Sequence, residues 1–205
     1  MKTKNSILLL FLPFFAWSQQ QDFQLWSNLE LNYKLAKKVK ISLDQSYRIR
    51  ENATISDLFF TNLSLSYKLS KHHSVALGYR MINDFDLNSN IELKHRYYSD
   101  YNYRFKQKRL TIRNRLRFQY QSQNITIRDK ASISYNVKKT PFEPFTSFEI
   151  YYKNKSLDKW RYTLGGAYPL AKKTNFSVFY RIQKDINAKK PEELYILGIG
   201  LDYNF

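Results

Sequence analysis

From residue 23 onward the chain alternates apolar and polar side chains with a period of two. Phe23, Leu25, Leu29, Leu31, Tyr33 and Leu35 share one face, opposite Gln24, Asn28, Glu30, Asn32 and Lys34. Alternation over this length predicts a β-strand with one apolar and one polar face. The pattern returns in Val39, Ile41, Leu43, Tyr47 and Ile49, against Lys40, Ser42, Asp44, Ser46, Arg48 and Arg50. It continues through Phe59, Leu63, Leu65, Tyr67 and Leu69, then Val75, Leu77, Tyr79 and Met81. Ile91, Leu93, Tyr97, Tyr101, Tyr103 and Phe105 oppose Glu92, Lys94, Arg96, Asp100 and Arg104. Leu110, Ile112, Leu116, Phe118 and Tyr120 oppose Arg113, Arg115 and Arg117, with Asn114 a polar exception on the apolar side. Further strands read near 126–137, 142–153, 158–170, 174–183 and 193–205. Eleven strands are legible, whereas single-chain bacterial barrels normally have an even number. The expectation is about 10–12 staves, with the strand at 23–35 irregular or another strand missed or merged.

Connections alternate too. Short ones fall at Ala36-Lys37-Lys38, Ser70-Lys71-His72-His73, Lys106-Gln107-Lys108 and Ala171-Lys172-Lys173-Thr174. Mostly longer, polar ones fall at 51–57, 83–90, 122–126, 154–158 and 184–193. This predicts an all-β, antiparallel, up-and-down transmembrane barrel with short periplasmic turns and longer extracellular loops. Strands of about 10 to 13 residues suffice to cross the hydrocarbon when tilted.

The N-terminus explains how such a barrel would reach a membrane. Lys2 and Lys4 precede the apolar run Ile7 to Ala16, and Ala16-Trp17-Ser18 offers small residues for cleavage. The run suits a signal peptide and is too short for a membrane span. Residues 1–18 are therefore expected to be removed before Gln19, leaving 19–205 as an outer-membrane barrel. With 34 basic and 17 acidic residues the formal charge is +17. Losing Lys2 and Lys4 lowers it by two, to +15. Mean hydropathy is negative, as an alternating barrel wall allows. The absence of cysteine excludes disulfides and thiolate chemistry, and three histidines leave little for a metal centre, so no cofactor or metal is implied.

A soluble barrel of the lipocalin kind also alternates, with its apolar face inward. Here that face carries too many large Leu, Ile, Tyr and Phe side chains to fit a lumen. Facing lipid, its tyrosines near strand ends would supply interfacial girdles. The C-terminus alternates Ile199, Leu201, Tyr203 and Phe205. Its aromatic positions Tyr203 and Phe205 resemble the signal that barrel-assembly machinery reads.

The opening Trp26-Ser27-Asn28-Leu29-Glu30-Leu31-Asn32-Tyr33-Lys34-Leu35 resembles the first strand of one family. The turn Ala36-Lys37-Lys38 and Leu43-Asp44-Gln45-Ser46-Tyr47-Arg48-Ile49-Arg50 resemble its second. This is domain-of-unknown-function family 2490, outer-membrane proteins of Bacteroidota. The resemblance spans essentially 19–205 and rests mostly on alternation. It implies a barrel in the outer membrane, and no assigned activity or catalytic residues.

Candidate chemistry then turns on the polar face. Asn83-Asp84-Phe85-Asp86 puts two carboxylates in an expected outer loop, as barrel proteases of the omptin kind do, but no histidine accompanies an aspartate in such a loop. Lipid-modifying barrels place a His and a Ser on the lipid face. His95 and Ser99 share that parity, yet lie about 13 Å apart along a strand, beyond hydrogen-bond reach. The bland reading puts His95 at the interface. An isolated His95 would favour a passive barrel; one bonded to a hydroxyl or carboxylate at the rim would favour a lipid- or lipopolysaccharide-modifying enzyme. The inward face carries Arg48, Arg50, Lys94, Arg96, Arg104, Arg113, Arg115, Arg117, Lys130, Arg161 and Arg181 against fewer acids, Glu30, Asp44, Glu92, Asp100, Glu149 and Asp202. The row Arg113, Arg115 and Arg117 should pair with Glu92 and Asp100 on the preceding strand. Two readings follow: a lumen closed by salt bridges, or a cationic channel or pocket for small anionic solutes. The expectation is a non-enzymatic barrel in contact with outer-membrane lipids and lipopolysaccharide, and not with nucleic acid.

Overall fold

The computed structural model describes residues 20–87, 90–187 and 192–205. The expected signal peptide at 1–18 and the cleavage point before Gln19 lie outside the described residues. Eleven strands close into one barrel: β1 (Gln20–Ala36), β2 (Val39–Arg50), β3 (Ile55–Lys68), β4 (His73–Phe85), β5 (Ile91–Gln107), β6 (Leu110–Gln121), β7 (Asn124–Tyr135), β8 (Glu143–Lys153), β9 (Ser156–Ala171), β10 (Thr174–Asp185) and β11 (Glu192–Asn204). Each pairs antiparallel with its sequence neighbours. The seam is the exception, where β1 runs parallel to β11 from Gln20↔Glu192 to Asn32↔Asn204. An odd count forces this, because strands one and eleven of an up-and-down series point the same way. The strand at 23–35 is therefore a stave paired on both sides, and eleven is the strand count among the described residues.

Closure leaves no free edge within the sheet, so every stave finds backbone partners on both sides. The first rim carries the connections at 37–38, 69–72, 108–109, 136–142 and 172–173, and the second those at 51–54, 86–90, 122–123, 154–155 and 186–191. The contrast in length is smaller than the sequence suggests: 122–123 and 154–155 are tight, and 136–142 is long. Ser122-Gln123 and Asn154-Lys155 have positive φ throughout, the twist that two-residue hairpins need, here without glycine.

Alternation sets the two faces. Outward side chains such as Leu77, Leu164 and Ile199 are exposed around the wall. Inward lie polar groups and one apolar cluster, Trp26, Leu194 and Ile196 packed with Phe179. Small residues make room for these rings. Tyr98 lies over Gly78, and Phe179 over Gly198, where any Cβ would collide.

Candidate functional site

The register determines which inward charges meet. Arg80 lies directly opposite Arg96, Arg117 opposite Arg128, and Arg115 opposite Lys130. Like charges in direct cross-strand pairs repel, so each must find compensation elsewhere. Two different solutions occur on two walls of the lumen.

On the wall of β5 to β9 the compensation is carboxylate. Arg117 donates from Nε and Nη2 to both oxygens of Asp100, at 2.6 and 2.7 Å, with its guanidinium 3.7 Å over the Tyr98 ring. Buried Glu149 accepts from Arg115 at 2.7 Å and twice from Arg128, at 3.1 and 2.8 Å. Its other oxygen accepts from the Tyr151 hydroxyl at 3.0 Å and lies 4.0 Å from Arg161. Arg161 in turn donates to Tyr151 and to Gln183. Charge-assisted bonds of this kind are the strong ones.

On the wall formed by β1 to β4 and β10 the compensation is aromatic. The Arg48 guanidinium lies 3.5 Å over Trp26 and 5.4 Å from Phe60. Arg80 lies 3.7 Å over Phe60, and Arg181 lies 4.7 Å over Phe179 and 5.0 Å over Trp26. Among the described residues no ion pair involves Arg48 or Arg181, and Arg80 reaches Asp44 only at 3.9 Å. The Arg48 Nε has no hydrogen-bond partner. A cation over a ring is stabilised by the ring quadrupole without losing its charge.

Both walls line one cavity of about 860 Å³ that opens toward the second rim. Of the cations legible in the sequence it gathers Arg48, Lys94, Arg96, Arg115, Arg117, Lys130, Arg161 and Arg181. Arg50 lies apart at the second rim, donating to the Phe85 carbonyl. Arg104 lines the opposite mouth, and Arg113 donates to Ser134. Arg80 and Arg128 belong to the cavity as well and were missed. Arg80 alternates with Tyr79 and Met81, so parity could have found it. Arg128 neighbours Asp129, an outward carboxylate that blurs the strand's pattern.

Two expected contacts change. Glu92 does not reach the arginine row, because the register pairs Arg96 with Gln121 at the end of β6; Glu92 bonds Lys94 instead, at 2.9 Å. Asn114 faces outward as expected, but not alone, since it donates to Asp129 at 2.6 Å.

His95 is not isolated: it shares a 2.7 Å hydrogen bond with the Tyr79 hydroxyl. The same arrangement recurs near the first rim, where His73 meets the Tyr101 hydroxyl at 2.6 Å. The hydroxyl contact is the one expected of an enzyme, but the same pair at the other rim shows that a His–Tyr contact on the outer face does not mark a catalytic site here, and the comparisons below lend the enzyme alternative no support. Asp84 bonds Lys94 at 2.6 Å, and Asp86 accepts from Asn90 within its loop, so those two acids serve local structure.

A closed strand barrel with an apolar outer surface and a charged lumen is the fold class of β-barrels that cross membranes with strands. More specifically, the chain belongs to the family described as protein of unknown function (DUF2490), which matches residues 23–193. Its structure is similar to that of the NanC porin, with TM-score 0.51, 13% identity and coverage of 78% of this chain and 86% of that one. It is also similar to the KdgM porin, with TM-score 0.50, 14% identity and coverage of 78% and 88%. At such identities the likeness is one of fold. No curated protein matches the chain.

Proposed function

We propose that this protein is an exported outer-membrane barrel whose lumen admits small anionic solutes. The observation that carries this reading is the aromatic wall of an open cavity, where Arg48 and Arg181 lie over rings with no carboxylate partner among the described residues and Arg80 lies over Phe60 with Asp44 only at 3.9 Å. Cationic linings of this kind favour anion entry. The outward band of apolar side chains and the porin fold support a membrane address. In this reading the signal peptide at 1–18 directs export, and assembly machinery reads Tyr203 and Phe205 before the barrel meets lipids and lipopolysaccharide.

Fractionated cells should yield a chain starting at Gln19 in the outer membrane, with gel mobility that changes on boiling, since a closed ladder resists detergent until heated. Liposomes holding the folded protein should pass an organic anion faster than an organic cation of equal size. A soluble periplasmic species would overturn the address. Equal or cation-favouring flux would overturn the proposed selectivity.

A further inference from the structure

A separate cavity of about 540 Å³ opens at the first rim, and its lining is basic. Lys34, Lys40, Lys68 and Arg104 enter it from the ends of β1, β2, β3 and β5, with Lys37 and Lys71 from adjoining turns. No carboxylate side chain is among the lining residues. Lys34 lies directly opposite Lys40, so the register brings like charges together at this mouth; Arg104 lies opposite Arg113, which is outside the lining and has Glu143 at 4.0 Å. Such pairs are destabilising without a counter-charge. Lys40 donates to Asn32 at 2.9 Å, a neutral partner. The second rim differs, because Asp84, Glu92 and Asp185 there each pair with a lysine.

We infer that the first-rim mouth is a second anion site, distinct from the arginine cavity, that takes a soluble multivalent oxyanion such as an oligophosphate. Several cations spaced around a concave mouth can engage one extended anion at several points, and lysine is a point-charge binder of phosphate. Strand parity selects a soluble source over a lipid headgroup. Lys34, Lys40, Lys68 and Arg104 alternate with outward Tyr33, Ile41, Tyr67 and Tyr103, so they face the lumen and a headgroup would lie behind the wall.

The test is titration of detergent-folded full-length barrel with tripolyphosphate by calorimetry, with lysine methylation footprinting of the same samples. Lys34, Lys40 and Lys68 should become protected, while Lys108, Lys138 and Lys172 on the same rim stay reactive. K34Q/K68Q/R104Q should weaken binding by about tenfold, whereas K108Q/K138Q/K172Q, with equal charge loss, should change it less than about twofold. Should the first variant not fold, the wild-type footprint and single K68Q decide. Equal loss in both variants, protection confined to Lys108, Lys138 and Lys172, or no binding by wild type would each overturn the site. Ion selectivity is measured separately, so failure here leaves the conduit reading standing, and failure of the conduit leaves this site standing.

Discussion

The two walls of the lumen carry the same residue, arginine, in different chemical settings. On the β5 to β9 wall, Arg117 finds Asp100 in a bidentate contact while Arg115 and Arg128 share the one carboxylate of Glu149, so fixed contacts offset part of the positive charge there. Across the cavity, Arg48, Arg80 and Arg181 rest on Trp26, Phe60 and Phe179, which hold them in place; Arg48 and Arg181 have no ion pair among the described residues, and Arg80 reaches Asp44 only at 3.9 Å. The first arrangement reinforces the barrel from inside. The second presents a fixed positive potential to whatever enters. An arginine row thus says little about selectivity until each guanidinium's partner is known.

The largest expected effect comes from breaking the carboxylate wall. Glu149→Gln leaves Arg115, Arg128 and Arg161 without their shared anion, and removing one partner of a buried pair costs about 3–5 kcal/mol. The urea midpoint of the heat-modifiable folded form should fall accordingly, and an unchanged midpoint would mean that lumen water already screens the cluster. On the other wall, Trp26→Ala removes a buried ring from the apolar cluster, at about 3 kcal/mol, and also takes away the platform of Arg48. Arg48→Gln should leave stability within about 1 kcal/mol, because no carboxylate is stranded, yet reduce anion preference. The inverse result, lost stability with selectivity intact, would equate the two walls.

The row Arg113, Arg115 and Arg117 sharpens the same contrast. Parity put all three on one face, and the structure agrees. Their partners depend on register across three strands, which alternation does not encode. Arg117 has Asp100, Arg115 has Glu149 from two strands away, and half-exposed Arg113 has a serine and a distant Glu143. Substituting each by glutamine should therefore destabilise in the order Arg117, Arg115, Arg113, and equal losses would contradict the assigned partners.

Strand positions and inward faces were legible because a period of two is written directly in side-chain type. The parallel seam was not, since closure depends on how the first and last strands meet. Nor does alternation foretell Trp26, a large aromatic on the polar face, which packs with Leu194, Ile196 and Phe179 opposite Gly198. Asp129 is the opposite exception, a carboxylate in mid-strand on the outer face, held by Asn114. The smallest expected effect is there. Asp129→Leu should raise stability in lipid by about 1 kcal/mol, as acids on that face are disfavoured, though less than bases; a loss would show that the Asn114 contact outweighs the mismatch.

The most direct test of the aromatic wall is the zero-current potential across a planar bilayer under a salt gradient. Wild type should be anion-selective, and R48Q/R80Q/R181Q should lose most of that selectivity while still inserting. Selectivity unchanged in the triple variant, or cation preference in the wild type, would contradict the account.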